Sequence, residues 1–337
     1  MSTLKDVAKL AGVHPSVISR VINNNKDLNI KPATRERILS AVKELNYRPN
    51  LPARNLKNSE TKMLGMAVPD FYNPVYASVI HGAEDQAANE GYNLFLFSMK
   101  QKGMEKNYFS SLQDGQIDGL LIANSISNDP EVLELKQTNK PFVLVNRFIS
   151  GINNYVVLND ERGGEIATEH LINLGHTRIA NITGPLYTST GLARFQGFRK
   201  RLKKGNITFN PSYVQESEHT QENGYISMKK LLELPEPPTA VFVANIIVCL
   251  GALEAIYDHG LSIPDDISII SIHDTYVSSS LNPPLTTIKM PLYEMGQKAV
   301  KQLILLIKSG QEHGSMLENA SIVIRKSTSV LRRPESF

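Results

Sequence analysis

Apolar residues at the start of the chain recur at helical spacing. Leu4, Val7, Ala8 and Ala11 stand at positions i, i+3, i+4 and i+7, which predicts a short helix with one apolar face. Gly12 follows at the point where a helix end needs a residue that tolerates positive φ. The pattern therefore predicts a helix that ends in a tight turn.

A second short helix is predicted directly after this turn. Pro15 suits its first position, where the missing amide would have no partner in any case. Ile18, Val21 and Ile22 supply the buried face, so the small polar side chains and Arg20 point elsewhere. This is the layout of a helix-turn-helix, whose second helix enters the major groove of DNA.

A third helix is predicted to cover the first two. Pro32 can open it, and four apolar residues at helical spacing form its inner face. These residues are Ile38, Leu39, Val42 and Leu45. The alternative is a plain helical hairpin in another kind of domain, but the third helix favours a DNA-binding head.

The distribution of charge also favours DNA binding. Residues 1–58 contain eleven Lys and Arg against four Asp and Glu, a net charge of +7, whereas the whole chain carries +3, so the remaining residues carry −4. A basic head on a mildly acidic body is typical of a nucleic-acid module joined to a domain that avoids nucleic acid.

The segment after the third helix has weak helical character. Asn50 is a candidate N-cap, and Ala53 and Leu56 lie on one face. About seven residues are too few for a stable isolated helix. We therefore expect this segment to fold only when DNA or a partner orders it.

Beyond a polar run at 58–61, apolar strands alternate with amphipathic helices. Such near-continuous apolar strands are typical of a parallel sheet covered on both faces. The pattern restarts after Asn159, which predicts a second doubly wound half. Leu285–Pro291 looks like a crossing back to the first half, before a long helix and a final strand at Ile322–Ser327. Three crossings between the halves are therefore predicted, as in periplasmic sugar-binding proteins.

Length and composition exclude several classes of protein. At 337 residues the chain should form two or three domains. The single cysteine, Cys249, is expected to be a buried apolar residue. A signal peptide and an eighteen-residue apolar stretch are both missing, which predicts a cytoplasmic bacterial protein without a membrane segment. His170 and His176 do not share a helix face, so we predict no enzyme, no cofactor and no metal site.

Several motifs resemble those of the lactose-repressor (LacI/GalR) family of bacterial transcription regulators. They are Lys5-Asp6-Val7-Ala8, Ala11-Gly12-Val13, Val21-Ile22-Asn23, Lys31-Pro32-Ala33-Thr34-Arg35 and Leu45-Asn46-Tyr47-Arg48-Pro49-Asn50. The resemblance implies a helix-turn-helix head and hinge helix, followed by a two-lobed, doubly wound α/β effector domain like that of periplasmic binding proteins. The implied divisions are 1–47 for the head, 48–61 for the hinge helix and linker, 62–158 with 290–319 for the first lobe, and 159–289 with 320–337 for the second lobe and tail.

The resemblance also implies a homodimer, or a dimer of dimers, that reads a palindromic operator in double-stranded DNA. The expected DNA-binding residues are Thr3, Pro15, Ser16, Val17, Ser19, Arg20, Asn23, Tyr47, Asn50, Ala53, Arg54 and Leu56. Arg20 can pair with guanine through two hydrogen bonds, and Leu56 can wedge between base pairs in the minor groove. Three alternatives stay open: Arg20 as a phosphate clamp, Val17 as a core contact and Leu56 as a packed linker residue.

An effector site is expected between the two halves, because ligands of open α/β sheets bind beyond the carboxyl ends of the strands. The expected effector-binding residues are Asp70, Phe71, Tyr76, Asn146, Arg147, Asp160, Arg194, Asn245 and His273. For Tyr76 the alternative is ordinary helix core, and for Arg194 it is a structural salt bridge.

Three positions depart from the family pattern by losing an aspartate. The chain has His273 where relatives have an aspartate, Asn245-Ile246 where they have Asn-Asp, and Asn146-Arg147 where many have Asp-Arg. Aspartates in such clefts accept hydrogen bonds from sugar hydroxyls. We therefore weigh an anionic effector, a sugar phosphate or sugar acid that His273 binds better when protonated, against a neutral sugar.

The expected function is that of a sequence-specific, DNA-binding transcriptional regulator, a repressor of a carbohydrate or related catabolic operon. A small-molecule effector between the lobes, a sugar or sugar derivative, controls it, and it acts in the bacterial cytoplasm at the nucleoid. The alternatives are a corepressor-dependent regulator of a biosynthetic pathway, and a sugar-binding receptor or enzyme.

Overall fold

The computed structural model of the protein describes residues 2–22, 28–47, 60–98, 105–123 and 129–331. The chain divides into two compact units, Met1–Thr61 and Lys62–Phe337. Each unit contains its own cluster of buried apolar residues.

The first unit, the head, contains three helices: α1 (Leu4–Ala11), α2 (Pro15–Ile22) and α3 (Pro32–Glu44). Gly12 ends α1 with φ +62°, the left-handed conformation that its position predicts. Val7, Ile18 and Ile38, one residue from each helix, are fully buried together. The predicted apolar stripes therefore make the core of the head, with one exception: Leu39 was wrongly placed on the inner face of α3, since its side chain is 49% exposed and lies outside the core.

Twelve strands of the second unit form two six-stranded sheets within the described residues. The strands are β1 (Met63–Val68), β2 (Asn93–Ser98), β3 (Gly119–Ile122), β4 (Phe142–Val145), β5 (Tyr155–Leu158), β6 (Ile179–Thr183), β7 (Val214–Glu216), β8 (Ala240–Val243), β9 (Ser268–Ile272), β10 (Thr286–Lys289), β11 (Gly314–Leu317) and β12 (Ser321–Val323). The first sheet has the order β11-β5-β4-β3-β1-β2, and the second has the order β12-β10-β9-β8-β6-β7. All neighbouring strands are parallel except β10 and β12.

Helices follow most of the strands, as the alternating pattern predicts. They are α4 (Pro74–Asn89), α5 (Glu105–Gln113), α6 (Pro130–Gln137), α7 (Asp160–Asn173), α8 (Ser189–Lys204), α9 (Gln221–Leu232), α10 (Ile246–Asp258), α11 (Tyr276–Ser280) and α12 (Leu292–Ser309). We call the first sheet with α4, α5, α6 and α12 the first lobe, and the second sheet with α7 to α11 the second lobe. No helix among the described residues combines the length and the apolar character needed to cross a bilayer.

Alternate residues of β1 show that the first sheet is buried on both faces. Leu64 and Met66 pack into the cluster that includes residues of α4 and α12, whereas Ala67 packs into a separate cluster with Leu112 of α5 and Val132 of α6. This arrangement explains the uninterrupted apolar runs, because both faces of a covered parallel strand need apolar side chains.

The described chain passes between the two sheets three times, as predicted. It passes from β5 to β6, from β10 to β11 and from β11 to β12. The prediction of the last strand was wrong in its bounds, since β12 ends at Val323 rather than at Ser327. Beyond Val323 the backbone leaves β10: the Lys326 amide donates to Pro284 O, and the Ser327 hydroxyl donates to Ile269 O at 2.7 Å.

Pairs of glycines let three pairs of helices approach closely. A Cβ on Gly82 of α4 would lie 2.0 Å from Tyr293 O of α12, and one on Gly296 of α12 would lie 2.0 Å from Val79 O of α4. Gly224 and Gly251 bring α9 and α10 together in the same way, and a third pair does so for α7 and α8. These contacts hold the helices against each other backbone to backbone, which a larger residue would prevent.

Candidate functional site

The outward face of α2 carries the residues expected to read DNA. Ser16 and Arg20 are exposed one turn apart, while Ile18 and Val21 of the same helix are buried in the head. The Ser16 hydroxyl lies 2.8 Å from His14 Nδ1, which also accepts the Ser16 amide at 3.3 Å. The fold of the head therefore places a small polar face with one guanidinium group on the exposed side of α2.

Other expected DNA-binding residues have structural contacts in the head. Thr3 caps α1: its hydroxyl accepts from the Asp6 amide, and the Asp6 carboxylate accepts from the Thr3 amide at 2.8 Å. Val17 and Tyr47 are half-buried against the core, so the core-contact alternative for Val17 has a structural basis. Pro15 opens α2, and Ser19 is half-buried on the same helix. The remaining expected residues, Asn23, Asn50, Ala53, Arg54 and Leu56, lie outside the described residues.

In the second unit, two expected effector residues occupy equivalent positions in the two sheets. Asn146 directly follows β4 and His273 directly follows β9, and each of these strands is the third in the order of its sheet. Both residues are buried and have left-handed backbones, with φ of +69° and +77°. A non-glycine residue in this conformation costs roughly 1–2 kcal/mol, which the surrounding structure must offset.

Arg194 of α8 is the centre of a buried polar network in the second lobe. Its Nε donates to Asp160 Oδ1 at 2.7 Å, and its Nη1 donates to Ala244 O at 2.7 Å. Both charged side chains are about 5% exposed or less. Burial raises the pKa of Asp160, and the Arg194 charge opposes this rise. Arg194 therefore forms the structural salt bridge that was its alternative role.

A third hydrogen bond of Arg194 determines whether His273 donates or accepts. Arg194 Nη2 lies 3.2 Å from His273 Nε2, and a guanidinium group can only donate, so this nitrogen must accept. Burial and the nearby Arg194 charge hold the pKa of His273 well below its usual value. Both observations argue against a protonated His273, while the anionic effector itself stays a prediction.

His219 also belongs to the network, although the sequence did not single it out. Its Nδ1 lies 2.7 Å from Asn245 Nδ2, while Asn245 caps α10 by accepting the Val248 amide at 3.0 Å. Burial, with the charges of Arg147 and Arg194, lowers the pKa of His219 to about 3. His219 follows the three-residue strand β7, which was not predicted, so its place at a strand end could not be recognised.

The first lobe contributes Tyr76 and Arg147 to the same region. Tyr76 of α4 is buried in the apolar core, and its hydroxyl donates to Ala123 O at 3.1 Å, as its helix-core alternative implies. Burial lowers the pKa of Arg147, the charge of Tyr76 raises it, and Arg194 lowers it again. The two lobes meet beside this network, where the Phe148 amide of the first lobe donates to Ser189 Oγ of the second lobe at 3.3 Å.

Two other expected residues, Asp70 and Phe71, lie in the loop that follows β1. Phe71 is about half exposed at 48%, and Asp70 accepts the Tyr72 amide at 3.0 Å in the loop after β1. A cavity of about 460 Å³ adjoins the network and shares Asn146 and Asp160 with it. Its other lining residues come from both lobes and include Phe148, Ser189, Lys200 and Met316.

The buried polar atoms at this site include Asn146 Oδ1 and His273 Nδ1, which have no hydrogen-bond partner within the described structure. Such atoms are costly to leave unsatisfied, so they point to a bound molecule. Groups of three or more potential metal ligands are absent from the described part of the chain. The network thus suits recognition of a small polar molecule.

Both units of the chain are similar to known protein families. Residues 3–50 match the family described as bacterial regulatory proteins, lacI family, and residues 168–328 match a periplasmic binding protein-like domain. The HTH-type transcriptional repressor PurR of Aliivibrio salmonicida (strain LFI1238) is 37% identical over 331 residues, which cover 97% of this chain and 99% of that protein. The solved structure of the lac repressor dimer bound to operator and the anti-inducer ONPF is 30% identical, with a TM-score of 0.85 over 97% of this chain and 99% of the other. The complex of the transcriptional regulator CelR with cellobiose is also 30% identical, with a TM-score of 0.74 over 97% and 100%.

Proposed function

We propose that this chain, which belongs to the lacI family of bacterial regulatory proteins, is a transcriptional repressor that binds operator DNA as a homodimer under the control of a small effector. The observation that carries the proposal is the exposed Ser16 and Arg20 face of α2, the second helix of a helix-turn-helix whose other face packs into the core of the head. Residues 1–58, which contain this motif, carry a net charge of +7. The lac repressor structure supports a dimer on operator DNA. Relatives over nearly the whole length are repressors rather than enzymes.

The division into head, hinge and two lobes, and the roles of the individual DNA-binding residues, stay predictions. The hinge, with Leu56 as a minor-groove wedge, depends on the family resemblance alone. We place the protein in the cytoplasm because its DNA is there, and association with the nucleoid also stays a prediction.

We favour control by a corepressor of a biosynthetic pathway over control by an inducer of a carbohydrate operon. The repressor PurR is 37% identical to this chain, compared with 30% for the lac repressor and for CelR bound to cellobiose. His273 supports an anionic sugar only as a neutral donor, because its Nε2 already accepts from Arg194. The effector would bind one arrangement of the two lobes more tightly than the other. It would thereby increase the fraction of molecules in the arrangement that binds DNA.

The proposal is tested by binding the full chain to duplex DNA and measuring fluorescence anisotropy at several salt concentrations. A palindromic site selected from a random library should bind more tightly than random duplex, and both affinities should fall as salt rises. Failure to bind any duplex at low salt would refute the proposal.

Arg20→Ala tests base reading. We expect a loss of roughly 1–3 kcal/mol on the selected site and a smaller loss on random duplex, because a guanine pair carries specificity. Arg199→Ala is the matched control, since Arg199 is an exposed arginine of the second lobe. Equal losses on both duplexes would make Arg20 a phosphate contact.

A further inference from the structure

The proton of His273 has one possible position. Arg194 Nη2 lies 3.2 Å from His273 Nε2, and the guanidinium group has no acceptor to offer. Nε2 therefore accepts, and the imidazole proton is on Nδ1. That Nδ1 is buried and has no hydrogen-bond partner in the described structure.

The tautomer of His219 is determined in a similar way by Asn245. The Asn245 Oδ1 accepts the Val248 amide at 3.0 Å, which orients the side-chain amide. Its Nδ2 therefore faces His219 Nδ1 at 2.7 Å and donates to it. The proton of His219 is consequently on Nε2, the remaining donor of the ring.

Neither imidazole can take up a second proton without placing two donors against each other. The surrounding charges act in the same direction, since Arg147 and Arg194 both disfavour a cation at His219, and Arg194 and His219 disfavour one at His273. The nearby carboxylate of Asp160 is already engaged by Arg194. Both histidines therefore stay neutral over the ordinary pH range.

We infer that His219 and His273 form a pair of neutral N–H donors on the second-lobe wall of the cleft, and that this pair selects effectors by their sp² oxygen acceptors. This inference rests on the proposed function, because it assigns the chemistry of the proposed effector site. An sp² oxygen can accept from an imidazole N–H, whereas a hydroxyl proton would find no acceptor on these rings. The aspartates of the resembled family accept from hydroxyl groups, so the direction of hydrogen bonding is reversed here. Carbonyl compounds and carboxylates share the required chemistry.

The tautomers can be measured without any effector. In the full chain labelled with ¹⁵N-histidine, the imidazole nitrogen shifts of His219 and His273 should report neutral rings at every pH between about 5.5 and 8. The assigned protons should be on Nε2 of His219 and Nδ1 of His273. Titration of either ring in this range, or the opposite tautomer, would overturn the inference.

Asn245→Asp tests the cause of the His219 tautomer. The substitution replaces the donor Nδ2 with an acceptor oxygen and keeps an oxygen that can cap α10. His219 should then titrate between about pH 5 and 8, because its Nδ1 can carry a proton. Asn210→Asp is the matched control: Asn210 caps a short turn of the same lobe by accepting the Ser212 amide, and its substitution should leave His219 neutral. A His219 that stays neutral in folded Asn245→Asp protein would contradict the mechanism.

The ligand class is tested by thermal shift with named probes. D-glucuronate, D-gluconate and uracil offer sp² oxygens, whereas D-glucose, D-ribose and sorbitol represent the hydroxyl compounds. At least one compound of the first group should raise the unfolding temperature, and His219→Phe, which keeps a ring without a donor, should reduce that rise. Stabilisation by the hydroxyl group alone, or by none of the acceptor compounds, would refute the ligand assignment. DNA binding is measured separately, so a chain that binds DNA but fails these tests refutes this inference and leaves the proposed function standing.

Discussion

Removing the negative charge from the buried ion pair tests how the second lobe is held together. Asp160→Asn keeps the shape of the side chain and leaves the Arg194 guanidinium without its carboxylate. Arg194 Nε and Asp160 Oδ1 are 2.7 Å apart, and both side chains are about 5% exposed or less. At an effective dielectric constant of about 20, the lost attraction is about 6 kcal/mol.

The net effect is smaller, because burial of the two charges already costs free energy in the folded protein. Burial raises the pKa of Asp160, as this cost predicts. Removing one partner of a buried pair typically costs about 3–5 kcal/mol, since the other charge is left uncompensated. For a unit of this size the corresponding fall in Tm is on the order of 10 °C.

Differential scanning calorimetry of the full chain measures this fall. Glu161→Gln is the control, because Glu161 pairs with Lys200 at 2.6 Å but both side chains are more than a third exposed. Such a surface pair contributes at most about 1 kcal/mol. Replacing both buried partners, with Asp160→Leu and Arg194→Met, should recover only part of the lost stability, because Ala244 O and His273 Nε2 lose their donor. If Asp160→Asn lowers Tm no more than Glu161→Gln does, the reasoning about the buried pair is wrong.

Three further predictions concern the head, the helix contacts and the pH dependence of stability. Ile38→Ala removes a fully buried side chain of α3 and should lower the stability of the head by about 2–5 kcal/mol. Urea unfolding followed by far-ultraviolet circular dichroism measures this loss, and a loss under about 1 kcal/mol would contradict the prediction. Gly251→Ala should separate α9 from α10, because its Cβ would lie 1.8 Å from Gln221 O, and a folded variant with unchanged Tm would show that the contact is not needed. Burial lowers the pKa of His176 and of His273 from the ordinary 6.5, so both take up protons when the chain unfolds below about pH 6.5. The free energy of unfolding should therefore fall as pH drops from 6.5, by up to about 1.4 kcal/mol per pH unit for each histidine, and a flat profile between pH 7.5 and 5.5 in urea would rule this out.

Much of the architecture could be predicted from local patterns. The apolar spacing of residues 4–22 predicted α1 and α2, and the run Met63–Val68 predicted β1, because these signals depend on residues that are neighbours in sequence. Short, partly exposed strands such as β7 and β11 carry no such signal. They are recognised only through pairing with β6 and β5, which are distant in the chain.

For the effector site, too, the sequence indicated the positions of residues but not their contacts with distant parts of the chain. The sequence indicated which residues follow the strand ends. Asp160, Arg194 and His273 do meet at the network, and Asn146 lines the adjoining cavity with Asp160. It did not show their hydrogen-bond partners. Arg194 meets Asp160 across 34 positions and His273 across 79.

Residue types and their spacing were enough to determine the helix-turn-helix, the doubly wound halves and the positions of the strand ends, since periodicity and charge are properties of the chain itself. Only the folded molecule decided that Arg194 is held in an ion pair, that His273 is neutral and that His219 belongs beside it. The physical reason is that the protonation state of a buried group depends on desolvation and on the donors within hydrogen-bond distance of it. Those donors are brought there by other elements of the fold, and no local pattern in the sequence identifies them.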